Sequence, residues 1–121
     1  MIKVMVLVKA KDGLSLEEFR TYYETKHAPL ASRLYPMFSD YRRNYVQIDN
    51  DARVPSGKSL PFDVITELSF ATEEDYQRFI EKRGQPEVRA EILADEAKFM
   101  APNTLWSFVV RQTRLPSSVQ G

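Results

Sequence analysis

Between residues 2 and 9 the apolar positions fall on both alternating faces, Ile2, Val4, Val6 and Val8 on one and Met5 and Leu7 on the other. A β-rich run of this kind predicts a strand covered on both sides. The period then changes: Leu16, Phe19 and Tyr23 follow helical spacing. Ser15 with Glu18 has the form of a capping box, and Leu14 is placed to staple against Phe19. A helix is predicted to begin at Ser15 and to stop at His27, because Pro29 pushes Ala28 out of helical geometry. His27 then lies on the core-facing side of the last turn.

Alternation returns over residues 41–48, a second strand, and residues 62–70 form a third, carrying Val64, Ile65, Thr66, Leu68 and Phe70. Residues 49–61 between them are polar, with Pro55, Gly57 and Pro61, and predict a loop long enough to serve as a lid or simply to be mobile. Thr72 with Asp75 starts a short helix through about Lys82 that Gly84 closes. Pro86, at a first-turn position, opens another through about Met100, whose inner stripe is Val88, Ile92, Leu93, Glu96 and Phe99. Residues 105–114 are a last strand, and residues 116–121 read as a flexible C-terminal tail behind a single domain of residues 1–115.

The order β-α-β-β-α-α-β predicts an α+β fold, a ferredoxin-like antiparallel sheet with helices on one face. The other face needs a cover, because Trp106 with Phe108 and Leu105 with Val109 are more apolar surface than a one-sided monomeric sheet requires. A second subunit laying its sheet against this one supplies it, so a homodimer is expected.

Composition removes several functions. Seventeen basic and seventeen acidic side chains cancel, leaving no global field to attract nucleic acid or an anionic membrane, and neither is expected as a partner. The apolar start is too short to span a bilayer and lacks a signal-peptide cleavage pattern, so a cytoplasmic location is expected. With no cysteine there is no disulfide, thiolate metal site or thiol nucleophile, and one histidine cannot make a multi-histidine metal site within one chain. Gly-rich phosphate loops, dinucleotide fingerprints and nucleophile elbows are absent. No cofactor is expected, and haem ligation by the lone histidine is disfavoured by its place at the end of the first helix.

The remaining chemistry centres on His27, the one side chain whose unperturbed pKa suits proton transfer near neutral pH. The alternative is a helix-terminal histidine packed on Tyr23 or bonded to a terminal carbonyl. Glu67 interrupts an apolar strand, where a carboxylate is costly unless it meets a donor, water or a cleft. It is a candidate to orient His27 or carry a second proton, or else to pair with a basic residue on a neighbouring strand such as Arg42 or to lie at the dimer interface. Tyr41, Tyr45 and Asn44 offer donors to a developing enolate oxygen, and Trp106, Phe108 and Phe99 suit a flat ring, with Tyr23 a further ligand-binding candidate, although aromatic residues are commonly just core. Arg42 and Arg43, adjacent on a strand, point to opposite faces and do not grip one anion together.

The stretch from Ile2 to Leu7, the segment Leu14 to Arg20, and His27-Ala28-Pro29-Leu30 together resemble the EthD-like branch of the dimeric α+β barrel proteins. The likeness resumes at Phe62 to Phe70, at Asp95-Glu96-Ala97-Lys98-Phe99 and at Phe108-Val109-Val110. Tyr23 stands where a tryptophan is common in that family, and Met100-Ala101 where an acidic residue often follows the Phe. The resemblance implies a dimer whose helix-covered sheet leaves a small cleft for aromatic polyketides, lactones or other cyclic carbonyl compounds. It implies isomerase, cyclase, dehydratase or cofactor-free oxygenase chemistry. The expected function is cofactor-independent acid–base catalysis on such a compound, with His27, Glu67 and Tyr41 as the catalytic set. The rivals are a non-catalytic dimeric ligand-binding or stress-associated protein and a cofactor-free oxygenase.

Overall fold

The computed structural model describes residues 1–48 and 52–115. Strand β1 (Ile2–Val8) lies inside a four-stranded antiparallel sheet of order β2-β3-β1-β4, with β2 (Asp40–Tyr45), β3 (Val64–Phe70) and β4 (Trp106–Val110). Helices α1 (Leu16–Tyr22), α2 (Ala28–Leu34), α3 (Glu73–Gly84) and α4 (Pro86–Glu96) complete the ferredoxin-like α+β arrangement that the element order predicts. No helix among the described residues is long and apolar enough to cross a membrane.

Register sorts the strand residues onto two faces. Val4 pairs with Leu68 and Val8 with Val64, and these four side chains are buried beneath the helices. Two apolar clusters fill that side. One gathers Val4, Leu34, Phe70, Phe79 and Ile92, and the other gathers Val8, Phe19, Tyr23, Val64 and Phe99. On the opposite face Leu7 pairs with Trp106 and Met5 with Phe108, and Trp106 and Phe108 remain 63% and 43% exposed. Strand β1 is therefore apolar on both sides, as its sequence requires, but only its helix side is packed within one chain.

The structure corrects the predicted end of the first helix. Rather than stopping at His27, the chain passes from α1 through a π-helical turn (Tyr23–His27) directly into α2. The Ala28 N–H donates to the Tyr23 carbonyl, five residues back, and Ala28 keeps helical dihedrals. Pro29 has no N–H to give, and its ring crowds the carbonyl four residues earlier. The wide turn in front of it absorbs that mismatch, so the residue expected to end the helix instead opens its next segment. The other differences are at element ends: β2 stops at Tyr45, β3 starts at Val64, α4 stops at Glu96 and β4 occupies only Trp106–Val110. At the first two, Asp63 takes over the backbone pairing, donating to the Val8 carbonyl and accepting from the Val46 N–H. The predicted tail at 116–121, and residues 49–51 of the predicted 49–61 loop, lie outside the described residues.

Candidate active site

The site is built where the π turn faces the sheet and α4. The capping box fixes the start of the helix: the Glu18 N–H donates to Ser15 Oγ at 3.0 Å, and the Ser15 N–H to Glu18 Oε1 at 2.9 Å. From that start the turn delivers Phe19, Tyr23 and His27 to the interior, all nearly inaccessible to solvent. The His27 ring sits 4.9 Å from Phe99 and meets Tyr23 edge-on at 5.3 Å. Tyr23 is itself anchored to the sheet through a 2.6 Å bond between its hydroxyl and Thr66 Oγ1.

His27 has one strong polar partner. Its Nδ1 lies 2.8 Å from Asp95 Oδ2 on α4, and Tyr22 donates its hydroxyl to Asp95 Oδ1 at 2.6 Å. A carboxylate that already accepts from Tyr22 selects the His27 tautomer with its proton on Nδ1. Nε2 is then the free lone pair. Burial pulls the His27 pKa below its usual value, and the Asp95 hydrogen bond and charge partly oppose this. The imidazole is accordingly neutral at pH 7 and able to accept a proton. Burial, reinforced by the neighbouring Asp95, pushes the Tyr22 hydroxyl up to about 12, so it stays a donor.

Beside His27 lies a cavity of about 140 Å³ under the sheet, walled by apolar residues including Val6, Leu68, Ile92 and Met100. A dry apolar cavity of about 150 Å³ accommodates benzene, so this space suits one ring. The polar side chains on its wall include His27, Tyr41, Thr66, Ser107 and Glu96. Burial raises the Tyr41 pKa, with Tyr23 adding to the effect, which keeps this hydroxyl protonated. Glu96 is the unusual member: burial, followed by the charge of Asp95, pushes its carboxyl up to about 7 against a lowering influence from Arg89.

The residues singled out from sequence divide between the two faces of the sheet. His27, Tyr23 and Tyr41 line the cavity together, and Phe99 packs against the histidine ring. Tyr45 is on the same face but donates its hydroxyl to Glu24 at 2.5 Å, within a cluster where Arg43 holds both Glu24 oxygens. That Arg43 pairing is also what holds Glu24 below the usual carboxylate range. Glu67, Asn44 and Trp106 are on the opposite face. There Lys3 donates to Glu67 at 2.9 Å and Asn44 to Glu67 at 2.8 Å, and these bonds lower the Glu67 pKa. Because alternate strand residues face opposite ways, Glu67 is separated from His27 by the sheet itself, and Asp95 performs the orienting contact expected of Glu67. The basic partner of Glu67 is Lys3 on β1, with Arg42 engaged by Asp40 instead.

Sequence reasoning missed Tyr22, Thr66 and Ser107 as site residues and gave Asp95 no role beside His27. Glu96 carried a signal, its place on the inner stripe of the last helix; Asp95, one residue earlier, carried none that spacing alone could read.

Comparison with known proteins adds the family. A model described as the EthD domain matches residues 11–103. Among solved structures, an EthD family protein from Bacillus halodurans C-125 superposes with a TM-score of 0.63 at 23% identity, covering 93% of this chain and 99% of that one. A protein from Arabidopsis thaliana gives 0.61 at 17% identity, covering 96% and 99%. A dimeric protein of ferredoxin-like fold from Bacteroides fragilis gives 0.54 at 12% identity, covering 92% and 95%. At these identities the likeness is one of fold. No curated protein matches the chain.

Proposed function

The chain belongs to the EthD domain family, and from that premise we propose that it is a homodimeric, cofactor-independent enzyme that moves a proton on a small cyclic or aromatic carbonyl compound. The observation that carries this reading is buried His27 on the wall of a ring-sized cavity, its ring held by half-buried Asp95. A histidine serving only as a helix end has no need of a carboxylate-fixed tautomer or of an Nε2 that keeps access to open space. His27 lacks a second hydrogen-bond partner among the described residues, yet none of their buried side-chain nitrogens is left unpaired, so Nε2 is not sealed off.

In the proposed reaction Nε2 removes a proton from the carbon next to a carbonyl group, and Asp95 stabilises the resulting imidazolium. The developing enolate oxygen meets Tyr41 or another cavity donor. Return of the proton to a different carbon gives an isomer; its return to a leaving hydroxyl gives dehydration. The cavity size restricts the part of the substrate beside His27 to about one ring.

The direct test is exchange of carbon-bound hydrogen for deuterium in single-ring ketones and lactones incubated with the protein in heavy water. His27→Ala is expected to slow enzyme-dependent exchange by roughly 10²–10⁴-fold, the usual contribution of a positioned acid–base group. Exchange that survives the substitution unchanged would remove His27 from the mechanism. Ligands that bind beside His27 without exchanging would favour the binding-protein reading, and oxygen consumption would favour the oxygenase.

A further inference from the structure

Glu96 is a cavity residue that the His27 reaction does not use. Successive residues on a helix point about 100° apart, so α4 turns Asp95 toward the π turn, where Tyr22 and His27 occupy both its oxygens, and Glu96 into the cavity. Two concavities meet at this residue. The inner one is the cavity beside His27. The outer one is a groove of about 420 Å³ whose walls include Lys11, Leu93, Pro102 and Asn103. Glu96, Met100 and Leu105 line both, so they stand between the inner space and the outer groove. Of these three, only Glu96 has a polar group in its side chain. No hydrogen bond from another described residue holds its carboxyl group.

We propose that Glu96 is the donor that binds the carbonyl oxygen of the ligand in this cavity, so that the cavity selects single-ring compounds that present an oxygen acceptor to it. This assignment rests on the cavity being the working site, as inferred above.

The charges around Glu96 are of both signs. On its own helix Glu96 feels Asp95, which is negative, and Arg89. Arg83, at the end of α3, lies at the cavity rim, and Tyr35, just beyond α2, senses both Arg83 and Glu96. The π turn contributes His27, held neutral by burial; the sheet contributes Tyr41; and Lys11 lies on the outer groove. Burial and Asp95 together keep the acid proton on Glu96 up to about pH 7. A carbonyl oxygen accepts that proton in a hydrogen bond. Once Glu96 ionises it has no proton to donate, and the carbonyl oxygen loses that bond.

Acetophenone is a suitable probe because it is a single ring with a carbonyl acceptor and has no titratable group near neutrality. Its affinity would be measured at about pH 5.5 and about pH 8.5 on the intact protein, while NMR follows the His27 ring and the Glu96 carboxyl carbon, assigned by its absence in Glu96→Gln. The wild type is expected to lose about five- to tenfold in affinity as Glu96 ionises, the worth of one hydrogen bond. In Glu96→Gln the amide donates at every pH, so affinity should stay high and flat. In Glu96→Ala it should be low throughout. Both NMR signals should shift on binding. A shift of His27 without Glu96, or a pH dependence that survives Glu96→Gln, would overturn the Glu96 assignment and leave the His27 reading standing. A shift of Glu96 alone would do the reverse. No shift of either would overturn both.

Discussion

At the scale of the residue, the protein keeps two proton-binding groups out of their ordinary ranges by the same cause and with opposite results. Burial disfavours charge, so it lowers the pKa of His27 and raises that of Glu96. Asp95 couples to both, raising each. Asp95→Asn is therefore expected to lower the His27 pKa further and to release the ring from its fixed tautomer, measured by NMR titration of the only imidazole. A ring pKa that rises or stays fixed would remove Asp95 as its partner. Stability provides a second test. Glu96 binds its proton more tightly folded than unfolded, so its contribution is complete below its unfolded value near 4.5 and is lost as pH rises through about 7. His27 acts in the opposite sense, its folded pKa lying below 6.5, so stability falls as pH drops through 6.5. Glu96→Gln should thus gain stability over the wild type above pH 7, on the order of 2 kcal/mol, relative to their difference near pH 4. Urea unfolding at the two pH values measures it, and a pH-independent difference would show that Glu96 titrates normally.

At the scale of the element, the decisive piece is the π turn. It adds one residue to a helical turn, and the register of everything after it changes accordingly. Deleting Thr25 should restore an ordinary helix but turn Phe19, Tyr22 and Tyr23 by about 100° relative to His27, Ala31 and Leu34, so that Tyr22 and His27 no longer both reach Asp95. The outcome expected is loss of the paired Tyr22 and His27 bonds to Asp95, with the still-buried ring titrating lower than in the wild type. Ser15→Ala, which removes the side-chain half of the capping box, should cost about 1 kcal/mol in urea unfolding without changing the His27 titration. The elements themselves were largely legible because strand and helix periods are local properties. The two-faced apolar pattern of β1, the cap at Ser15 and the inner position of Glu96 could all be read from spacing. The continuation through Pro29 could not, since local rules count the proline's missing hydrogen bond but not the tertiary packing of Ala28, Ala31 and Leu34 that offsets it. Nor could the partner of His27 be read, because sixty-eight residues separate it from Asp95. The assignment of Glu67 failed for a related reason: strand parity gives the relative orientation of neighbours, but which parity faces the helices emerges only from the assembled sheet.

At the scale of the whole molecule, one face of the sheet is finished and the other is not. Leu7, Met5, Trp106 and Phe108 form an apolar surface around the Lys3–Glu67–Asn44 cluster, and no described residue covers Trp106 and Phe108. The Bacteroides fragilis neighbour of the same fold is dimeric. The expectation is a stable dimer at micromolar concentration in sedimentation velocity. Phe108→Glu would place a charge in the middle of the buried area and should shift the population to monomer, with the helix-side cavity intact. A wild type that sediments as a monomer would contradict the proposed assembly. The Lys3–Glu67 pair already satisfies its charges within one chain, so it can enter an interface without leaving an unpaired ion behind.

The positions of Trp106 and His27 have a practical consequence. The chain contains one tryptophan and one histidine, and the sheet separates them: the indole is on the uncovered face and the imidazole beside the cavity. In the proposed dimer intrinsic fluorescence would report on assembly, shifting to the red as Trp106 becomes wet, while ring proton resonances would report on ligand and protonation. Two unlabelled signals, one optical and one magnetic, can be followed in a single sample to learn whether filling the cavity tightens the dimer.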